Sequence, residues 1–234
     1  MTDKVHRHGY DRFYKSIVSS LLNKPTRLPP AMVEIGVAEG HSIPFWKGMA
    51  PSWMYIGLDK IENSTTTTES LVELHVVDQS DPVQLQNLVD FTSPRYSVLL
   101  IVDDGSHIPN HQIVSFNKLF PLLEDGGVYV IEDVETSYWT HGDLYSYPIS
   151  YGFRHPESLV ERFKQVLDIV NVQFLHTENR THFNDICKNC GFDPEALRQV
   201  RTITFGPNFV SISKKIHEED DVFDRKPYLL SCYL

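Results

Sequence analysis

The sequence predicts an α/β protein built on a mostly parallel sheet, with helices on both faces and a C-terminal antiparallel hairpin. Three observations carry that expectation. Short apolar runs alternate with helical patterns along the chain, which is the signature of βαβ units. The run Val98–Val102 is apolar throughout, as a strand covered on both faces must be. The last two apolar runs flank Gly206-Pro207-Asn208, a hairpin signal.

Taken in order, the segment from Asp11 carries Phe13, Ile17, Leu21 and Leu22 at helical spacing, and Pro25, Pro29 and Pro30 interrupt it. AMVEIGVAEG reads as the first strand followed by a glycine turn, and Ser42 opens the next helix. MYIGLDK is a second strand ending in Asp59, and LVELHVVDQS a third ending in Asp78 and Gln79. Asp81 and Pro82 form a helix start, with a carboxylate cap before a proline whose missing N–H costs nothing there. The fourth strand runs into Asp103 and Asp104. A helix with Ile113, Phe116, Leu119 and Phe120 on one face follows, ending at a glycine stop. GVYVIEDV is the fifth strand, and ESLVERFKQVLDIV a helix with Leu159, Phe163, Val166, Leu167 and Val170 inward. The hairpin brings the sheet to seven strands. The expected organisation is an N-terminal helical segment that could act as a lid (1–30), a main domain (31–216) and a charged tail (217–234).

Composition narrows the function classes. The chain has 234 residues, 41% hydrophobic and 22% charged, which fits one globular domain. Its net charge of -10 gives no basic footprint for nucleic acid. No apolar run is long enough for a membrane helix, and the polar N-terminus lacks a signal-peptide core. Three cysteines give no disulfide framework, so a reducing cytoplasm is expected. The sequons at Asn63 and Asn179 carry no meaning without secretion. Cys187 and Cys190 form a lone C-x-x-C. A zinc site would need two further ligands, for which His176 and His182 are available, and the plainer reading is two half-buried thiols one helical turn apart.

The strand ends are where chemistry is expected. In an open parallel sheet ligands sit beyond the carboxyl ends of the strands. Glu34, Asp59, Asp78, Asp103, Asp104, Glu132 and Asp133 all fall on that edge, and like charges gathered there repel unless a cation or hydrogen-bond donors hold them. Gly36 and Gly40 allow a tight turn and close approach of a ligand. The turn lacks the third glycine of a dinucleotide fingerprint, and its acidic Glu34 suits a cationic ligand such as S-adenosylmethionine better than a pyrophosphate. Asp59 is placed to accept ribose hydroxyls, and Asp78 or Gln79 to read an adenine edge. Asp104, Glu132 and Asp133 offer hard oxygens for Mg²⁺. His107 lies three residues past Asp104, where a neutral imidazole can take a proton from a hydroxyl; a structural hydrogen bond at a helix start is its other reading.

With these residues in place, the chain resembles the metal-dependent class I S-adenosylmethionine methyltransferases of the macrolide-sugar and macrocin O-methyltransferase type. The resemblance runs over nearly the whole chain, through TDKVHRHGYDRFY, VEIGVAEGHSIPFW, YIGLDK and VVDQSD. It is strongest in IVDDGSHIPNHQ and GGVYVIEDVETSYW. It implies a Rossmann-like sheet, with S-adenosylmethionine and Mg²⁺ as cofactors and a small-molecule hydroxyl, a sugar among the candidates, as acceptor. It also implies Asp104, Glu132 and Asp133 as metal ligands and His107 as general base. Glu34, Gly36, Gly40, Ser42, Asp59, Asp78, Gln79 and Asp103 are the cofactor-contacting positions. Tyr138–Pro156 is expected to form much of the acceptor pocket, and His8, Tyr10 and Tyr14 either a lid or one face of a packing helix. A homo-oligomer, a binding protein without turnover, and a nucleotide- or metal-dependent oxidoreductase or hydroxylase on the same sheet stay open at this point.

Overall fold

The computed structural model describes residues 2–62, 70–142, 149–171 and 183–216. Asn63, Asn179, His176, His182 and the tail from residue 217 onward lie outside them, as do residues 143–148 of the expected acceptor segment.

A short helix, α1 (Asp3–His6), precedes α2 (Asp11–Leu21). Five parallel strands follow: β1 (Pro30–Ile35), β2 (Met54–Asp59), β3 (Val72–Val76), β4 (Ser97–Asp103) and β5 (Leu123–Glu132). Between them lie α3 (Ile43–Met49), α4 (Pro82–Thr92) and α5 (Pro109–Leu119). After β5 come α6 (Leu159–Val170), α7 (Phe183–Asn189), α8 (Pro194–Arg198) and the hairpin of β6 (Val200–Gly206) and β7 (Phe209–Lys214). The strand order is β3-β2-β1-β4-β5-β7-β6, with β7 antiparallel to both neighbours. This is the seven-stranded, mostly parallel sheet that the sequence predicts.

Every residue of β4 is buried, because helices cover both faces at the centre of the sheet. Val98 and Ile101 point to a cluster with α4, α5 and α6, and Leu100 and Val102 to a second cluster with α2 and α3. Full burial of each such side chain contributes about 1.5–3 kcal/mol relative to exposure. Asp81 caps α4 as expected, accepting from the amides of Val83 (2.8 Å) and Gln84 (3.3 Å).

Three local expectations are corrected. The inward face of α2 is Tyr14, Val18 and Leu21; Phe13 and Ile17 flank it and Leu22 is exposed. The hydroxyl of Tyr14 reaches a buried acid, which turns the helix toward the strand ends. The helix through Phe116 stops at Leu119, because Pro121 cannot continue it, and Gly126 and Gly127 lie inside β5 instead of ending a helix. On α6, Leu167 is exposed, while Val160 and Ile169 are buried.

The turn after β1 depends on Gly36. Its φ is +88°, and a Cβ there would lie 2.1 Å from the carbonyl oxygen of Asp104. The ends of β1 and β4 therefore approach as closely as backbone allows. Gly36→Ala is expected to lower stability by about 2 kcal/mol or more, from combined strain and clash. Gly48→Ala, in open space on α3, should stay within about 1 kcal/mol of wild type, on the stable side. Urea unfolding of both variants checks this, and equal midpoints would contradict it.

Candidate functional site

The parallel register puts carboxylates on defined sides of the sheet. Glu34 pairs with Val102, and Asp103 pairs with both Ile35 and Ile131. Side chains alternate along a strand, so Glu34, Asp104 and Glu132 face the α2/α3 side, while Asp103 faces α5.

Asp103 is fully buried. It accepts from Ser115 Oγ (2.8 Å), Gln79 Nε2 (3.1 and 3.2 Å) and Tyr129 Oη (3.4 Å). Burial pushes its carboxyl above the usual range, opposed by the Ser115 and Gln79 hydrogen bonds. Its carboxylate thus ties β4 to α5 and lines neither cavity at the strand ends. Gln79 also accepts from the Ser106 amide, which fixes the loop that carries His107.

Glu34 is also fully buried. Its oxygens accept from Ser42 Oγ (2.6 Å), Trp46 Nε1 (2.9 Å) and the Tyr55 hydroxyl. Ser42 thus ties α3 to β1. Gly40, at φ +76°, shapes the turn without lining either cavity. Asp59 accepts from the amides of Ala38 (2.8 Å) and Ile61 (3.2 Å). Asp78 is pulled down to about 2 by the Ser80 hydroxyl and Lys60.

Two cavities meet at Gly36, Ala38, Asp104 and Gly105. One, of about 390 Å³, is lined by Asp59, Asp78, Gln79, Ser106, Ile108 and His111 among others. The other, of about 820 Å³, is lined by Arg7, His8, His41, Ser42, His107, Asp133 and Glu135 among others. Asp104, His107 and Asp133 each offer a ligand atom here, all within 4.8 Å of one another. His107 and Asp133 both adopt left-handed backbone, φ +54° and +52°, which is costly for residues with a Cβ and aims both side chains at this point. Among the described residues, His107 Nδ1 is buried without a hydrogen-bond partner. Asp133 accepts from Tyr10 Oη and Asn208 Nδ2, both at 3.0 Å, through one oxygen. Burial and the nearby Asp104 raise its carboxyl above the usual range. Two acidic oxygens beside an imidazole with one open nitrogen among the described residues fit a hard divalent cation next to a proton acceptor.

Glu132 sits one residue back from Asp133 and is held differently. Its oxygens take the Tyr14 hydroxyl and Lys4 Nζ (2.8 Å). Burial pushes its carboxyl up, against the pull of Lys4. Lys4 also contacts Asp104 at 2.6 Å and Glu34 at 3.4 Å. Burial opposes the charge on Lys4, but Glu132, Asp104 and Glu34 together outweigh it and hold its pKa well above the usual lysine value. His8, Tyr10 and Tyr14 all reach the strand ends, His8 lying 3.8 Å from Asp133. The N-terminal segment is therefore both a packing element and a wall of the site. Sequence reasoning missed Lys4 and Asn208. A single lysine near a terminus carries no signal, and the hairpin asparagine was legible only as a turn residue. Cys187 and Cys190 are buried thiols, raised by that burial, and Cys190 donates to Gln165 (3.0 Å).

No family model matches the chain. A search of curated proteins finds the 8-demethyl-8-alpha-L-rhamnosyl tetracenomycin-C 2'-O-methyltransferase of Streptomyces olivaceus. It is 36% identical over 145 residues, covering 59% of this chain and 36% of that protein. The demethylmacrocin O-methyltransferase of Streptomyces fradiae is 41% identical over 101 residues, covering 43% of this chain and 24% of that protein. The mycinamicin VI 2''-O-methyltransferase of Micromonospora griseorubida is 34% identical, covering 56% of this chain and 31% of that protein. The chain spans about a quarter to a third of the length of these relatives. Among solved structures, MycE methyltransferase in complex with Mg, SAH and mycinamycin VI superposes with a TM-score of 0.72. Its identity is 24%, over 91% of this chain and 50% of that one. The chain carries the class I methyltransferase fold and is similar in sequence, over 43% to 59% of its length, to these O-methyltransferases.

Proposed function

We propose that the chain is an S-adenosylmethionine-dependent, divalent-cation-dependent O-methyltransferase acting on a hydroxyl of a small molecule, a sugar or glycosylated natural product. The observation that carries this reading is the Asp104–His107–Asp133 constellation at the junction of two cavities, on the fold the relatives share. The names of the relatives point to sugar hydroxyls, and the protein in the MycE structure was solved with Mg and SAH. No helix among the described residues is long and apolar enough to cross a membrane.

Each part of the site has a task in that reaction. Asp59 faces the smaller cavity, where a carboxylate can accept ribose hydroxyls, and Asp78 and Gln79 line the same wall. Gly36 lets the cofactor approach the backbone between the two cavities. Asp104 and Asp133 would hold the cation, with Glu132 adjacent. S-adenosylmethionine supplies an electrophilic methyl on a sulfonium, and Mg²⁺ supplies a Lewis acid that makes a hydroxyl easier to deprotonate. Mg²⁺ prefers oxygen to imidazole, which leaves His107 as proton acceptor instead of ligand. His107 would take the proton of the acceptor hydroxyl as that oxygen receives the methyl group, the cofactor leaving as a neutral thioether. The larger cavity would seat the acceptor, with His41 and Glu135 on its walls as hydrogen-bonding groups for a polyhydroxylated ring. Among the described residues of the expected acceptor segment Tyr138–Pro156, none lines either cavity; the Tyr151 amide donates to Trp139 O (2.8 Å) away from them.

The argument against a silent binding protein is His107: among the described residues its buried Nδ1 has no partner, yet it stands beside Asp104 and Asp133 where a proton acceptor is needed. The absence of a third glycine at the β1 turn argues against a dinucleotide oxidoreductase.

His107→Ala should lower kcat by about 10²–10⁴ while leaving S-adenosylhomocysteine affinity nearly unchanged. Methyl transfer from labelled cofactor to glycosylated acceptors, with calorimetry alongside, checks this; a near-normal kcat would remove His107 from the chemistry. EDTA should abolish transfer and excess Mg²⁺ should restore it. Normal turnover in EDTA would contradict the role given to Asp104 and Asp133.

A further inference from the structure

We propose that Lys4 is a built-in competitor of the divalent cation: its ammonium holds Asp104 and Glu132 until the ion displaces it and frees the Thr2–His8 segment from the site. The inference rests on the divalent-cation reading above and adds a residue that this reading does not use.

Lys4 is 1% exposed, although it lies in a four-residue helix near the chain start. Its ammonium stands 2.6 Å from Asp104 Oδ2 and 2.8 Å from Glu132 Oε2, with Glu34 at 3.4 Å and the Trp46 ring centroid at 5.8 Å. These partners are unequal. Glu34 keeps Ser42, Trp46 and Tyr55 when Lys4 leaves. Glu132 keeps Tyr14. Among the described residues, the Asp104 carboxylate has Lys4 as its side-chain partner, and it also belongs to the cation constellation. A buried lysine is stable only where anions compensate it, and here one of the compensating acids, Asp104, belongs to the place a divalent ion would take. An ammonium and a divalent ion cannot both sit against the Asp104 carboxylate without strong mutual repulsion.

The same lysine fixes the backbone around it. Lys4 O accepts from the Tyr10 amide (2.8 Å), and Thr2, Arg7 and His8 line the larger cavity. Departure of the ammonium therefore removes one anchor of the segment that walls the larger cavity. It also frees Glu132 beside Asp133. Tyr10 and Tyr14 keep their own bonds to Asp133 and Glu132, so the change is confined to the residues before Tyr10. Thermodynamic linkage makes the effect mutual: if the ion weakens the docking of Lys4, Lys4 weakens the binding of the ion by the same factor.

The test uses the full chain and Mn²⁺ as the probe ion, counted by electron paramagnetic resonance. Lys4→Met should bind Mn²⁺ about tenfold more tightly than wild type, with a lower Tm because buried acids lose their counter-ion. In wild type, saturating Mn²⁺ should speed amide hydrogen exchange across residues 2–8 while slowing it around Asp104 and Asp133. This second measurement decides the matter even where the variant folds poorly. Equal or weaker Mn²⁺ binding by a folded Lys4→Met protein would overturn the proposal and leave the cation site standing. So would unchanged or slower exchange of residues 2–8 in wild type. Failure of both proteins to bind Mn²⁺ would overturn the cation reading and this inference with it.

Discussion

Three carboxylates around one ammonium, with a fourth on the same rim, set the terms for the rest of this structure. A parallel sheet brings the ends of β1, β4 and β5 to one rim in register, so Glu34, Asp104, Glu132 and Asp133 meet whether or not their charges agree. Burying such groups unpaired would cost several kcal/mol per ion. The protein answers with donors drawn from distant parts of the chain: Trp46 and Ser42 from α3 and its cap, Tyr14 from α2, Tyr10 and Asn208 from the loops, and Lys4 from the start. The N-terminal segment therefore docks where it does because its lysine and tyrosines are required there. The orientation of α2 follows from the same demand.

That requirement also separates two neighbouring aspartates. Asp103 and Asp104 are adjacent in sequence but point to opposite faces. Asp103 is enclosed by Ser115, Gln79 and Tyr129 and locks β4 to α5. Asp104 opens onto both cavities. The locked partner steadies the loop that Gln79 also holds, and that loop carries His107 into its left-handed conformation. Such a backbone persists only when its surroundings over-determine it, and Asp133 is held in the same way on the next strand end. The flanking rigidity keeps an imidazole and two carboxylates within 4.8 Å of each other.

Much of this was legible in the sequence. The five parallel strands and the hairpin followed from apolar runs and turn residues, and the acidic rim followed from where those runs stop. Strand alternation, applied at Val102–Asp104, would also have separated the two aspartates. The face of α2 was misjudged because Tyr14 counts as amphipathic, and its pull comes from a hydroxyl seeking Glu132, which no periodicity records. The end of α5 was placed too late because two glycines looked like a stop, while Pro121 had already ended the helix. Lys4 and Asn208 were invisible for a plainer reason: their roles exist only after the chain ends and the hairpin fold onto the strand rim, over 100 and 75 residues of separation.

The most direct measurement of the central claim is a crystal structure of the chain grown with Mn²⁺ and S-adenosylhomocysteine, read by anomalous scattering. The account predicts one strong peak in contact with Asp104 and Asp133, close to but not bonded by His107, with the Lys4 ammonium withdrawn from Asp104. A map without a peak at these carboxylates under saturating Mn²⁺, with Lys4 still bridging Asp104 and Glu132, would contradict it.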